Sequence, residues 1–258
     1  MKAARTPRVW FDGAIDAATC TEIELPKKTA HHLTTVLRAD DGHTLELFNG
    51  DGNNYIATLK RAGKKVIAKI QSSAPNLNES PLSTLLVQSV SRGDRMDTTV
   101  QKCVELGISD IQPVYTRHSI PALKGDRANR KLEHWQAIAV SAAEQSGRSV
   151  VPKITPALPL AQWLQTHWPK EKDNLATGWV LDPESIQPLS MAAGNNSCVP
   201  NRHALLIGPE SGLEPTEIDA AVNSGFNAVR FGRRILRTET AGPAVLCTIQ
   251  ALAGDLLQ

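Results

Sequence analysis

The chain has 258 residues, 41% hydrophobic and only 4% aromatic, which allows one large or two modest domains with aliphatic cores and argues against bulk disorder. Its 28 Lys and Arg against 26 Asp and Glu leave a charge of +2, too small to mark a nucleic-acid binder by itself. Four scattered cysteines (Cys20, Cys103, Cys198, Cys247) form no Cys-x-x-Cys pair, and His31-His32 lacks helical i,i+4 spacing, so neither a zinc site nor a disulfide framework is expected. The opening MKAARTPRVWF has no apolar signal core, and no apolar run is long enough to span a bilayer. The expectation is a soluble, cytoplasmic protein with no metal and no membrane.

Residues 1 to about 72 read as short β-strands with one helix. Arg8–Phe11 is a candidate first strand. His31–Arg38 places Leu33, Val36 and Leu37 at helical spacing. Thr44–Phe48 alternates, Asn49-Gly50-Asp51-Gly52 turns, Tyr55–Leu59 continues, Arg61–Lys64 turns again and Lys65–Ile70 returns. Short strands with glycine turns suggest a small barrel. Ser72–Pro81 is rich in Ser, Pro and Asn and reads as a linker, giving domains over 1–74 and 82–258.

From Leu82 onward strands alternate with helices. Leu82–Val90, Ile111–Tyr115, a short stretch at Ile154, Trp179–Leu181, Leu205–Ile207 and Asn227–Phe231 are expected strands. Asp94–Leu106, Asn129–Ser146, Leu160–His167, Glu214–Ser224 and Glu239–Leu252 are expected helices, with Gly107 and Gly147 as stops. This alternation predicts a mostly parallel sheet covered on both faces.

Two glycine-bearing segments stand one helix apart near the end of the sheet. Ile207-Gly208-Pro209-Glu210-Ser211-Gly212 follows an apolar strand, and Phe231-Gly232-Arg233-Arg234-Ile235-Leu236-Arg237-Thr238-Glu239-Thr240 follows the next. Such transitions build a ligand crevice at the carboxyl edge of an open α/β sheet. Their spacing fits neither a dinucleotide fingerprint nor a P-loop. A plain strand-to-helix turn accounts for the first segment equally well. Thr238 or Thr240 can cap the last helix, with Glu239 complementing its dipole and Pro243 tolerable in the first turn. Arg230, Arg233, Arg234 and Arg237 suit a phosphate face or a solvated charge run. Further basic clusters are Arg117, Lys124, Arg127, Arg130 and Lys131, and Lys60, Arg61, Lys64 and Lys65. Ala143-Glu144-Gln145-Ser146-Gly147-Arg148 ends a helix, with Arg148 either at the surface or facing a ligand. In the first domain Lys27, Lys28, His31, His32 and Arg38 could follow an RNA backbone or form a solvated rim.

Taken together, these stretches resemble the bacterial 16S ribosomal RNA uracil-N3 methyltransferases, of the trefoil-knotted SPOUT class. The resemblance rests on His32-Leu33-x-x-Val36-Leu37-Arg38, Lys102-x-Val104-Glu105-Leu106-Gly107, Glu144-Gln145-Ser146-Gly147-Arg148, Ile207-Gly208-Pro209-Glu210 and Arg234-Ile235-Leu236-Arg237-Thr238-Glu239-Thr240-Ala241, in that order along nearly the whole chain. Ser211, Phe231 and Gly242-Pro243 depart from the usual pattern. The resemblance implies an α/β fold: a C-terminal SPOUT-type parallel sheet with a trefoil knot, and an N-terminal PUA-like β-barrel that holds RNA. It implies a homodimer acting on 16S rRNA of the small ribosomal subunit with S-adenosyl-L-methionine. By analogy the cofactor contacts Leu181, then Ile207, Gly208, Pro209, Glu210 and Gly212, then Phe231, Gly232, Ile235, Leu236 and Thr240. His32, Arg38, Arg92 and Arg234 are the expected RNA contacts.

Methylating uracil N3 requires alignment, stabilisation of charge on O2 or O4, and removal of the imide proton. Arg148 and Arg237 are the candidates for the charge, Glu144 or Glu210 for the proton. Glu210 alternatively caps helix amides. N3 lies on the Watson–Crick edge, so the base must be unpaired or extruded. The alternatives are a SPOUT enzyme for another RNA position or a ribose 2′-OH, and a non-catalytic RNA-binding module of ribosome assembly.

Overall fold

Strand and helix signals along the chain resolve into two units in the structure, a computed structural model that describes residues 6–16, 22–63, 65–173, 176–189 and 202–257. Cys20, Lys64 and Cys198 lie outside the described residues. The first unit comprises Met1–Glu79 together with Ala143–Val151, and the second comprises Ser80–Ala142 and Pro152–Gln258.

In the first unit, β1 (Arg8–Trp10), β2 (Glu22–Glu24), β3 (Thr44–Phe48), β4 (Asn53–Ala62) and β5 (Lys65–Pro75) form one sheet in the order β1-β3-β4-β5-β2. Only β1 and β3 run parallel. Inward residues alternate as a half-buried strand requires, so Leu45, Leu47, Tyr55, Ala57, Leu59, Val66, Ala68 and Ile70 make the core with Leu33 and Val9. The strand β5 runs into the expected linker, because Ser72–Pro75 pair with Asn53–Ile56 past a register shift at Ile56/Ala57. The helical stretch before β3 is split. Lys27–His31 is α-helical (α1), and His32–Val36 continues as a π-helix. That wider turn buries Leu33 but leaves Val36 and Leu37 exposed, and Arg38 closes it at φ 53, a left-handed conformation unusual for a residue with a Cβ.

The second unit holds β6 (Ser83–Ser89), α2 (Arg95–Glu105), β7 (Asp110–Tyr115), most of α3 (Asp126–Ser146), β8 (Lys153–Ile154), β9 (Leu158–Pro159), α4 (Leu160–Thr166), α5 (Trp168–Asp173), β10 (Thr177–Leu181), β11 (Arg202–Ile207), α6 (Pro215–Asn223), β12 (Phe226–Val229) and α7 (Thr238–Ala253). The sheet order is β12-β10-β11-β6-β7-β8, with β9 also on β7, and every pairing is parallel. Leu85, Val87, Ala204, Leu206 and Val180 meet Trp163, Trp168, Ala221 and Phe226 on one face. On the other face α7 packs against α2, β6 and β11. Gly242 is one departure from the family pattern. It lies buried in α7, where a Cβ would meet Leu86 at 3.4 Å and Thr99 at 3.7 Å in ordinary contact, so nothing in the packing demands glycine there. Pro243 falls inside α7, beyond its first turn, because the helix begins at Thr238.

Candidate functional site

The carboxyl ends of β10, β11 and β12 open into a cleft of about 660 Å³, a size that suits a cofactor. Leu181 ends β10; Ile207, Gly208, Pro209, Glu210 and Gly212 follow from β11; Phe231, Gly232, Arg234, Ile235 and Leu236 follow β12. Ten of the eleven expected cofactor residues therefore line one space, although they are spread over 56 positions from Leu181 to Leu236. Thr240 is not among the lining residues; its N–H closes the first turn of α7 on the Arg237 carbonyl at 2.9 Å.

The loop after β11 owes its path to two glycines. A Cβ on Gly208 would stand 2.9 Å from the Leu213 nitrogen, so this residue must lack one. Gly212 takes φ 78, so the left-handed position falls on it rather than on Ser211. The following helix starts with a capping box, in which the Glu214 and Glu217 side chains accept from each other's backbone N–H groups.

Two sets of polar contacts brace the cleft from behind. Gln88, fully buried at the end of β6, donates from Nε2 to Thr238 Oγ1 at 3.0 Å. Thr238 Oγ1 in turn donates to the Gly208 carbonyl at 2.7 Å. The Thr238 hydroxyl is thereby engaged outside its own helix, the N-cap position is Arg237, and no side chain caps α7. This corrects the expected Thr238 or Thr240 cap. The second brace is Arg95. It reaches Glu210 at 2.7 Å and Glu239 at 3.7 Å, tying the loop after β11 to the start of α7. The Arg92 N–H also donates to Glu210, at 2.8 Å. Burial pushes the Glu210 carboxyl up, but its own and Arg92's N–H groups and the Arg95 guanidinium outweigh that and hold it below the ordinary range. Gln88 is the largest polar side chain in Leu82–Val90, where the other polar residues are the small Ser83, Thr84 and Ser89, and that size is the sequence signal for it. Arg95 shows no comparable signal.

The Glu144–Arg148 segment belongs to the first unit. The last turn of α3 ends at Gly147, φ 87, as a helix stop. Arg148 is 5% exposed at its side chain and ion-paired to Glu79 at 2.8 Å. The other Glu79 oxygen accepts the Ser149 and Val150 N–H groups at 2.8 and 3.0 Å. Arg8 donates to the Arg148 carbonyl at 2.8 Å and pairs with Glu46. Asn76 and Asn78 donate to the Gly147 carbonyl at 3.0 and 3.1 Å. Glu144 accepts the Trp10 N–H at 2.9 Å. Burial raises its carboxyl above the ordinary range, against the Trp10 N–H and the charges of His32, Arg8 and Lys28. His32 and Arg38 are both exposed on the π-helical turn and just after it.

Among the described residues there is no cluster of three His, Cys, Asp or Glu able to bind a metal and no helix long and apolar enough to cross a membrane. Burial pushes the Cys103 thiol up, which makes it a core residue rather than a nucleophile.

The sequence profile of the RNA methyltransferase domain family matches residues 78–250, and that of the RNA methyltransferase PUA domain matches residues 25–71. The chain belongs to this RNA methyltransferase family. Among solved structures, ribosomal RNA small subunit methyltransferase E from Neisseria gonorrhoeae, bound to S-adenosyl methionine, is 36% identical with a TM-score of 0.86, over 98% of this chain and 100% of that one. A methyltransferase from Legionella pneumophila in complex with the same cofactor is 31% identical, also at 0.86, over 98% and 100%. Among curated proteins, ribosomal RNA small subunit methyltransferase E of Buchnera aphidicola (strain APS) is 30% identical over 99% of this chain and 97% of its own length. The family's PUA domain corresponds here to the largely antiparallel first sheet, and its methyltransferase domain to the parallel sheet that carries the cleft.

The cleft suits S-adenosylmethionine chemically. Leu181, Ile207 and Leu236 offer apolar surface to an adenine, and the glycine-bearing loops bring main chain to the ligand. Asp182, Glu184 and Asp219 on the lining match the cofactor's ribose hydroxyls and its ammonium group.

Proposed function

We propose that this protein transfers a methyl group from S-adenosylmethionine to N3 of a uracil in small-subunit ribosomal RNA. The observation that carries the reading is the cleft of about 660 Å³ between the glycine-bearing loops of β11 and β12, in a chain of the RNA methyltransferase family. When bound there, the cofactor supplies an electrophilic methyl carbon on a sulfonium leaving group.

The chain's own residues then orient the base, stabilise the charge on its carbonyl oxygens and hold the N3 proton. Arg237, exposed between the cleft residues Leu236 and Thr238, is assigned to the developing charge. Glu144 is assigned to the proton, because its raised carboxyl pKa is nearer the working pH than that of a solvated glutamate. Arg148 is assigned a positioning role, since Glu79 occupies its guanidinium. Arg234 and Arg92, with His32 and Arg38 on the PUA domain, are assigned to the RNA.

The assignment includes a homodimer, a knotted carboxyl end and a cytoplasmic site of action. Exposed Leu252 and Leu257, at 58% and 80%, offer a second copy an apolar face. The return of α7 to β11 and β6 after β12 has taken the far edge of the sheet suits a threaded chain. Calorimetric titration with S-adenosylmethionine and mapping of methylated nucleotides in small-subunit RNA from a deletion strain test the whole reading. Saturable cofactor binding and loss of one N3-methyluridine are expected. Loss of a 2′-O-methyl group instead, or no change in the RNA, would sink it.

A further inference from the structure

Three exposed cations stand on the same sheet edge as the cleft but outside it. Arg92 follows β6, Arg117 follows β7, and Lys124 lies in the loop from β7 to α3. Among the described residues, none of these three side chains forms an ion pair. Their main chains are nevertheless held. Arg92 N–H donates to Glu210 at 2.8 Å, Arg117 N–H to Glu217 at 2.9 Å, and the N–H of Leu123, next to Lys124, to the Tyr115 hydroxyl at 3.0 Å. Exposed cations on held backbone are available to an anion that the chain itself does not supply.

The sheet order places them in sequence. β11, β6 and β7 are neighbours, so the loops after β6 and β7 lie about 5 and 10 Å from the loop after β11. At the end of β7 a second cleft of about 630 Å³ opens, with Pro159, Leu160 and Leu164 as its apolar lining and Tyr115 and Arg117 beside them. The two carboxylates on this lining are already engaged. Glu217 accepts from the Glu214 and Arg117 N–H groups. Glu214 accepts from the Glu217 N–H and pairs with His118 at 2.5 Å. Arg117 is left as the cation open to a ligand.

From this arrangement we infer that the RNA strand whose target base enters the methyl-transfer cleft continues over β6 to β7. Its phosphates lie on Arg92, Arg117 and Lys124, and an unpaired flanking base covers the groove of Tyr115, Leu160 and Leu164. Apolar and aromatic surface takes a base face, and separate cations take the backbone, as single-stranded nucleic acid requires. The inference rests on the methyltransferase reading above.

The test is the full-length double variant Arg117→Ala/Lys124→Ala, assayed for methyl transfer to naked small-subunit rRNA over a range of salt. The expected result is a KM for RNA about tenfold higher and a salt slope (log K against log salt) shallower by about 1.4, at about 0.7 per lost phosphate contact on a single strand. The expected kcat at saturating RNA and affinity for S-adenosylmethionine by calorimetry match the unsubstituted protein. Arg117→Lys, which keeps the charge, is expected to retain the slope. Unchanged KM and salt slope in the double variant overturn this inference alone. A defect confined to assembled small subunits assigns the cations to a protein contact and also overturns it. If the unsubstituted protein methylates no RNA, the reading of the main cleft fails, and this inference with it.

Discussion

Arg148 and Arg237 carry the same guanidinium into opposite surroundings. Arg148 is 5% exposed and locked to Glu79, inside a corner where Glu79, Arg8, Asn76 and Asn78 satisfy the end of α3. Arg237 is an exposed N-cap beside the cleft, and its carbonyl accepts the Thr240 and Ala241 N–H groups. The difference separates two uses of an arginine. One holds a backbone corner through a buried charge pair; the other is exposed beside the cleft and so left available. A buried pair is costly to break and little gained by keeping, relative to an apolar substitute, whereas an exposed cation contributes little to folding and is open to a ligand.

Breaking the buried pair has the largest expected effect. Glu79→Ala removes the carboxylate from a buried ion pair with Arg148 and leaves two backbone N–H groups unmet, and is expected to destabilise the protein by about 3–5 kcal/mol, measured as the fall in unfolding free energy in urea. An effect below 1 kcal/mol would put Arg148 in the same class as Arg237. Next comes Arg237→Ala. Its expected cost is a 100- to 1,000-fold loss of kcat, about the worth of one charge-stabilising donor, with stability changed by roughly 0.5 kcal/mol or less. Equal losses in stability and turnover would erase the distinction between the two arginines.

The brace behind the cleft is intermediate. Gln88→Leu leaves the Thr238 hydroxyl without its donor and loosens its hold on the Gly208 carbonyl. About tenfold weaker binding of S-adenosylmethionine is expected, the worth of one or two kcal/mol at a buried hydrogen bond, read by calorimetry. Unchanged affinity alongside a lowered melting temperature would make Gln88 a purely structural residue.

The smallest expected effect is on pH dependence, and it has opposite signs at the two carboxylates. The Glu210 pKa is lowered in the folded protein, so its contribution is present above the ordinary carboxylate range and lost as pH falls through the folded value. The Glu144 pKa is raised, so folding is disfavoured once pH exceeds that ordinary range, and relieved below it. Glu144→Gln keeps an acceptor for the Trp10 N–H and is expected to be at least as stable as the parent at neutral pH while losing methyl transfer. Glu210→Gln is expected to be less stable than the parent at neutral pH, the difference closing as pH falls below the carboxylate range. Urea unfolding at pH 4 and pH 7 measures both signs; a Glu144→Gln protein that keeps full turnover removes Glu144 from the chemistry.

Local physics made most elements readable from sequence. Thr44–Phe48 alternates apolar and polar residues and is β3 with the expected bounds; Gly107 and Gly147 stop their helices in left-handed conformations. The glycines around the cleft were visible but ambiguous, since a plain strand-to-helix turn explained the first segment as well; in the structure close approach excludes a Cβ at Gly208, and a left-handed backbone favours glycine at Gly212 and Gly232. Misreadings arose where a distant partner decides. Ser72–Pro75 look like a linker but are strand, since Asn53–Ile56 supply their hydrogen bonds. Val36 and Leu37 have helical spacing but are exposed, since a π-helical turn rotates them away from Leu33. Thr238 looks like a cap but bonds Gly208 instead.

By itself, then, the amino-acid order determined the β-rich first part, the strand-helix alternation of the second, and the glycine-bearing loops of the cleft. These are set by periodicity and backbone freedom within a few residues. Tertiary structure decided the strand order β12-β10-β11-β6-β7-β8, the closure of three loops around one space, and which arginines are buried. Those outcomes depend on contacts between residues far apart in sequence, such as Gln88 with Thr238 and Glu79 with Arg148, which periodicity does not encode.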